Sequence, residues 1–566
     1  MKINKNIIIK CICGVLLGVT GCNDYLDINT DPNNPTVAPL DQLTSKIQKD
    51  AADTYNSGDF WMANFLGVFT HQIVVREESD QYGLSTGSNF ISNSWSNLYL
   101  TNTNLNSLIS TATDQGNMVY AGIAKIIKVD AFSKAVDIWG DIPYTEANKL
   151  RESILAPNFD DQVEVYTSLF ALLDEAIANL NDETAENSLT PGEDDLIYGG
   201  DVDLWIKAAN TLKLKMYNNV RLFPALFDAT AVNSLISGGN LISSLDEDFE
   251  FKYSSALAPE DERHPLFAAE YGGGQITQYI SPWFYEIMMG VNPTPYFTTV
   301  EDPRIPYYWF NQLTGGGLAQ NPIDYHDPNT DFVSIRFGSI GDGRDSGQRG
   351  SGTMVGMYIC GGRYDDGMGS PDGDLGSSDG TGVAPFQYIN YYERLFIEAE
   401  LIQAGVVTGD ASAKLREAIV AAFAKVDDIA ENNQSSQTIP ALSGTTEVTG
   451  YIDDVITLFD AATADQKMEI IMTQKWIASF GKFADQYNDI RRTGYPVLAN
   501  PNGTNEYQID AGQNSDGALG DPLLDSETTL GRDYPLSIYW PASEVNTNSN
   551  APDQKQQATY SIFWDN

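Results

Sequence analysis

Only three histidines and four cysteines, set among 77 acidic residues, bound the chemistry available to this chain. A serine triad needs a histidine base held against its nucleophile, and zinc hydrolysis needs clustered imidazoles or thiolates. His71, His264 and His326 are far apart, and none falls in a Gly-x-Ser-x-Gly elbow or a His-Glu-x-x-His pair. Each reads as a polar surface or packing residue. Glycoside hydrolysis needs only two carboxylates flanking a sugar bond, a pair that so many acids supply by chance, so a hydrolase stays a minor alternative. The run Gly338 to Gly352 holds scattered Gly-x-Gly but no Gly-Lys-Ser/Thr, and reads as a loop rather than a nucleotide site. Asp365-Asp366-Gly367 through Asp372-Gly373-Asp374 could gather calcium through its oxygens, but the glutamate that closes an EF-hand is missing. A solvated acidic loop is expected there, with calcium as the alternative and no other cofactor.

Binding chemistry is better served than catalysis. Aromatic planes stack on the apolar faces of pyranose rings while neighbouring amides and guanidinium groups bond the hydroxyls. Two segments have that composition in loop context. One runs from Arg76 to Trp95 and carries Tyr82 and Phe90 among serines and asparagines; the other runs from Trp283 to Trp309, with Tyr296 and Phe297 beside Pro295. The candidate ligand contacts are Arg76, Tyr82, Phe90 and Tyr296, with ordinary packing as the competing role for each. Trp95, four residues before Tyr99 on an expected helix, reads as core.

The most specific motif is at the start. Lys2, Lys5 and Lys10 precede a short apolar stretch from Cys11 to Val19, the pattern of a secretory signal peptide. It ends in Val19-Thr20-Gly21-Cys22, which resembles a bacterial lipobox, so cleavage is expected before Cys22 and acyl chains on it. Each buried methylene adds about 0.8 kcal/mol to membrane affinity, and more than one chain gives a lasting anchor. Residues 1–21 then form the signal and 22–39 a lipidated tether, where Asp31-Pro32-Asn33-Asn34-Pro35 blocks regular structure. Loss of the three signal lysines takes the formal net charge from −44 to −47, which repels phosphates and excludes nucleic acid as a partner. A hydrophobic share of 42% equally excludes a disordered acidic chain. Cys360 is left alone in the mature chain, and a solitary cysteine of this kind is expected to be a small buried hydrophobe.

These residues need a scaffold, and its periodicity is helical. Tyr166, Leu169, Leu173, Ile177 and Leu180 form one stripe, and Trp205, Ala208, Leu212 and Met216 another. After a region rich in glycine, proline, aspartate and aromatics, the stripes resume at Tyr388, Tyr391, Leu395, Ala399 and Ile402 and again at Met468, Met472, Trp476, Phe480 and Phe483. The expected fold is mainly α: a tetratricopeptide-like scaffold of helical hairpins with a large loop-rich insertion. Residues 40–566 are expected to form one domain, with helical blocks at about 40–238 and 386–496, a loop-rich region at about 239–385, and a loop-like tail after Pro496.

Several segments carry a resemblance. Gly21-Cys22-Asn23-Asp24-Tyr25-Leu26-Asp27, Trp139-Gly140-Asp141-Ile142-Pro143-Tyr144, Asp302-Pro303-Arg304-Ile305 and Tyr358-Ile359-Cys360-Gly361-Gly362-Arg363-Tyr364 recur in order. Gln474-Lys475-Trp476, Asn488-Asp489-Ile490-Arg491-Arg492-Thr493-Gly494-Tyr495-Pro496 and Trp540-Pro541-Ala542-Ser543-Glu544 follow them. Together they resemble the SusD/RagB family of outer-membrane nutrient-binding lipoproteins, in its SusD-like branch, over essentially the whole chain. The resemblance implies four tetratricopeptide-like hairpins, a loop-rich face and a location on the outer membrane, where the acidic residues after Cys22 suit display to the cell exterior; the residues weighed above lead to an expectation of no enzymatic activity. It also implies a partner, a SusC-type TonB-dependent transporter, and an oligosaccharide cargo, with peptides or another nutrient as alternatives. Apart from Cys22, no ligand contact is carried over, because such contacts fall outside the matching motifs.

Overall fold

The residues at helical spacing are the buried faces of helices in the computed structural model. Tyr166, Leu169, Leu173 and Leu180 are buried along one helix, and Trp205, Ala208, Leu212 and Met216 along the next. The structure describes residues 38–56, 62–75, 85–272, 276–291, 300–321, 324–335, 349–370, 380–498, 530 and 534–565. The first block comprises α1 (Leu40–Tyr55), α2 (Met62–Phe69), β1 (Ile73–Val75), α3 (Asn89–Asp114), α4 (Met118–Trp139), α5 (Gln162–Leu180), α6 (Val202–Asn219) and α7 (Ala229–Gly238). The insertion holds β2 (Phe249–Lys252), α8 (Pro265–Gly272), β3 (Gln278–Ile280), α9 (Pro282–Met288), α10 (Ile305–Tyr308), β4 (Trp309–Phe310), β5 (Tyr325–Asp327), β6 (Phe332–Ser334), β7 (Met354–Val355), α11 (Met357–Cys360) and β8 (Pro385–Ile389). The second block is α12 (Tyr391–Gln403), α13 (Ala411–Asn432), α14 (Thr446–Ala461), α15 (Ala464–Ala478) and α16 (Phe483–Thr493), and α17 (Ala542–Thr547) follows in the tail.

The helices are bounded by their own side chains. Asp161 accepts from the N–H groups of Val163 and Glu164 to start α5, Asp410 does the same for α13, and Thr463 with Gln466 closes a reciprocal capping box on α15. Gly140 and Gly494 end α4 and α16 at positive φ, a conformation glycine adopts without steric cost. Only residues 115–117 join α3 to α4, a link so short that the two must run antiparallel. The pairs α3/α4, α5/α6, α12/α13 and α14/α15 give the mainly helical, tetratricopeptide-like scaffold. Helix α4 is buried on nearly every side and is the hub on which α1, α3, α5, α6 and α16 pack.

Two parts depart from the expected layout. Among the described residues, 239–385 are not irregular throughout: their strands take part in four two-stranded ladders, one of which pairs β3 with β1 of the first block. One of them, β2 with β8, pairs Phe249 with Ile389 and Lys252 with Pro385, and so closes the insertion at its base. The tail is loop-like as expected, α17 apart, but its final part is not peripheral: residues 534–565 run back over α4 and bury Ile538, Trp540, Ile562 and Trp564. One hydrophobic cluster consequently extends from Leu40 to Trp564.

Candidate ligand-binding face

The two aromatic segments singled out from the sequence stem from one small sheet. Strand β1 pairs antiparallel with β3, Val75 opposite Gln278 and Ile73 opposite Ile280. The Ser281 N–H donates to Gln72 O at 3.0 Å, and α9 begins at the next residue. Asp302 N–H donates to Met288 O at 2.7 Å, so the chain leaving α9 returns to its end. Arg76 follows directly on Val75. Arg76 itself, Tyr82, Tyr296 and Cys22 lie outside the described residues, as do Asp372 and Asp374.

Phe90 does not sit in a loop. It is the second residue of α3, half-buried, with its ring centroid 4.4 Å from that of Phe65. Trp95, one turn further on, is buried against Tyr99, Trp139 and Phe159, in the core as expected. The described rings of the second segment serve packing too. Tyr285 stacks on Phe332 at 3.9 Å and donates its hydroxyl to Asp327 Oδ2 at 2.7 Å, with Trp309 and Tyr325 around it. Among the described residues no aromatic ring is exposed. The large apolar side chains that the insertion exposes are aliphatic, among them Leu318, Met368 and Val291.

Two of the three histidines and the described cysteine are buried. Burial alone lowers the imidazoles of His71 and His264 to about 3, so both are neutral at physiological pH. Cys360 is buried, and burial pushes its thiol far above the usual range. Asp365 accepts main-chain hydrogen bonds from Asn311 and Gly367, each at 3.0 Å, while Asp366 accepts from Met368 N and lies 3.5 Å from Arg363 Nη2. Burial raises the Asp365 carboxyl above its ordinary value. Among the described residues no group of three His, Cys, Asp or Glu side chains could hold a metal ion.

The ordered motifs of the sequence form the frame beneath this face. Trp139 through Tyr144 make a junction: Asp141 Oδ1 accepts from Gln162 N, Asp141 O from Trp540 Nε1 at 2.8 Å, and Pro143 O from Tyr99 OH at 2.7 Å. Gly140 has no room for a side chain, since an added Cβ would stand 2.6 Å from Tyr560 Cε1. Asp302 and Arg304 form a fully buried bidentate pair, with the guanidinium 4.7 Å over the Phe423 ring. Trp476 Nε1 donates to Thr70 O at 3.0 Å, tying α15 to the turn between α2 and β1. Arg492 grips both oxygens of Glu400 and also Asp489, and those contacts overcome burial to hold the Glu400 carboxyl far below its usual range.

This whole-chain pattern has matches. Residues 32–511 match the model of a SusD-like family described as starch-binding and associating with the outer membrane. The chain belongs to the SusD-like family. A SusD/RagB family protein from Bacteroides thetaiotaomicron shares 20% identity and a TM-score of 0.66, covering 93% of this chain and 99% of its own. A SusD homologue from Bacteroides uniformis shares 20% identity over 93% of this chain and 99% of its own, with a TM-score of 0.61. A structure titled a chitin-binding SusD homologue from Flavobacterium johnsoniae gives 19% identity, coverage of 92% and 98%, and a TM-score of 0.61. At such identities the solved structures establish the SusD-like fold alone. No curated protein matches the sequence significantly. The SusD-like family is defined by binding rather than by catalysis, and no helix among the described residues of this member is long and apolar enough to cross a membrane.

Proposed function

We propose that this SusD-like protein is a lipid-anchored lipoprotein of the outer membrane, facing the cell exterior. It captures an oligosaccharide and passes it to a SusC-type TonB-dependent transporter. The observation that carries this reading is the match of residues 32–511 to a family described as starch-binding and associated with the outer membrane. The lipobox ending at Cys22 supports the anchor, and the relative titled chitin-binding supports a glycan as cargo. Shallow sites built from loops bury few contacts, so affinities of about 1 mM to 1 μM are expected, corresponding to about −4 to −8 kcal/mol.

Titration calorimetry of the soluble chain against starch, chitin and other oligosaccharides, with peptides as a parallel panel, tests the cargo. Binding of a glycan without turnover is the expected result, and exclusive binding of peptides would replace the oligosaccharide. Release of reducing ends by the pure protein, abolished by one carboxylate substitution, would make it a hydrolase instead. Co-purification of the acylated protein with a barrel transporter from outer membranes tests the partner.

A further inference from the structure

In the interior of the second helical block, two helices begin against each other around a buried lysine. Asn390 stands at the N-terminal cap position of α12 and Lys482 at that of α16, 92 residues apart in the chain. The Lys482 ammonium donates to Glu393 Oε2 and, at 3.1 Å, to Tyr388 O. Asn390 Oδ1 lies 3.4 Å from it and Asp485 Oδ2 3.6 Å. Asn390 is fully buried and held in one orientation, because its Nδ2 donates to Asp248 Oδ2 at 3.0 Å and turns its carbonyl to the lysine. The amide carbon is one carbonyl bond, about 1.2 Å, from that oxygen, so a side-chain shift of that order brings Nζ to the roughly 3–3.5 Å from which a nucleophile attacks. Beside Lys482 there is a cavity of about 20 Å³, walled in part by Ile359, Pro385, Phe386 and Phe480. It has room for one molecule the size of water or ammonia, for which about 10–15 Å³ suffices.

The charges suit loss of a proton from this lysine. Burial pushes the Lys482 ammonium below its ordinary value. Burial alone would raise the Glu393 carboxyl, but Lys215 and Lys482 hold it far below its usual range, as an ionised acceptor. Lys215 lies 2.9 Å from Glu393 and 2.8 Å from Asp485, so two ammonium groups face two carboxylates. Neutralising Lys482 and Glu393 together leaves Lys215 paired with Asp485 and no uncompensated buried charge. Lys128 makes a useful contrast. It too meets an asparagine, Asn106 Oδ1 at 2.7 Å, and burial lowers it to about 8, but its charged neighbour is Lys149 and no carboxylate among the described residues pairs with it.

We propose that Lys482 and Asn390 join in an intramolecular isopeptide bond, a covalent modification that pins the start of α16 to the start of α12. The Lys482 ammonium gives one proton to Glu393, and the free amine attacks Asn390 Cγ. The Nζ–Cγ bond forms, the Cγ–Nδ2 bond breaks, and a second lysine proton passes to Nδ2, which leaves as ammonia. The third hydrogen stays on the new amide, and Glu393 keeps the proton it took. One amide replaces another, so no oxidant, reductant or co-reactant is consumed. Reactants held in this way gain effective molarities of about 10⁵ M or more, which replaces any need for an outside catalyst.

Mass spectrometry of the denatured, full soluble chain tests it. The chain should be lighter than its sequence by one ammonia, and proteolysis should yield a branched peptide joining Asn390 to Lys482. Glu393→Gln and Asn390→Ser, the latter keeping a residue suited to a helix start, should each restore the sequence mass. A wild-type chain of full sequence mass would overturn the proposal, whether or not either variant folds. Loss of a water in place of ammonia would overturn it too, since it would mark an amide to Glu393 or Asp485. So would a loss of ammonia mapped to Asn106 and Lys128, or one that persists in Asn390→Ser.

Discussion

Asp137 draws four donors to one buried carboxylate: Tyr166 OH, the side-chain amides of Asn219 and Asn488, and Trp564 Nε1 at 2.8 Å. Burial outweighs them and raises its pKa to about 6. Because the folded value exceeds the unfolded one, the folded protein binds the proton more tightly. This group's contribution to stability therefore rises as pH falls from neutrality through about 6 and levels off near the unfolded value of about 4. Asp137→Asn cannot titrate, so the stability difference between wild type and variant should grow by about 1 kcal/mol between pH 7 and pH 5. Parallel melts at the two pH values measure it, and a constant difference would contradict the assignment. The proposed ligand contacts make the opposite kind of demand. Tyr82→Ala and Tyr296→Ala should weaken glycan binding while leaving the melting temperature unchanged, since a stacking ring on a loop adds little to a core. Truncating a packed aromatic instead leaves a cavity costing about 3–5 kcal/mol. Early melting with normal binding would make both tyrosines packing residues.

At the scale of elements, the C-terminal strap of residues 534–565 is the least conventional part. It holds to α4 and the junction after it by individual contacts: Ile538 N to Ile138 O at 2.9 Å, Trp540 Nε1 to Asp141 O, and Lys555 Nζ to Trp139 O. Lys555 lies between the rings of Trp540 and Tyr560, at 4.5 Å and 4.7 Å. Trp564→Ala removes a fully buried ring under Arg491 and one of the two donors to Asp137 Oδ1, which keeps Tyr166 OH, so a loss of about 3–5 kcal/mol is expected. A thermal melt within a degree or so of wild type would show the strap to be peripheral. Gly140→Ala attacks the same joint from the other side, because its new methyl would collide with the Tyr560 ring. It should melt early, and Tyr560→Ala should partly rescue it.

These elements also show what could be read in advance. The stripe of α5 was legible because a buried helix face imposes its period on four or five residues at once. Strands of two to four residues, such as β4 and β7, are too short to display alternation, and β2 finds its partner more than a hundred residues away. The strap lacks any repeating element, so Trp540, Ile562 and Trp564 left no periodic trace. For the binding face the limit is of another kind. Trp139–Tyr144, Asp302–Arg304 and Asn488–Arg492 serve the frame, and a frame says little about what the protein binds.

At the scale of the molecule, anchor and body are separable. Helix α1 begins at Leu40, within the first described stretch, and the core cluster takes its first member there. Cys22→Ala should therefore release the protein from the outer membrane, or leave it with its signal uncleaved, while the circular dichroism and melting of residues 23–566 stay those of wild type. Firm retention of this variant in the outer-membrane fraction would remove the lipid anchor from the account.

The contact between Trp564 and Asp137 spans 427 residues of chain. A ribosome adding residues in order delivers the helices of the first block long before the ring that satisfies their innermost carboxylate. Until then Asp137, Tyr166, Asn219 and Asn488 surround an incomplete centre, and loop closure over such a length is slow. The first half of the protein is thus obliged to wait, partly assembled, for the last segment, and a nascent chain cut short before the strap should never reach the native state of even its earliest helices.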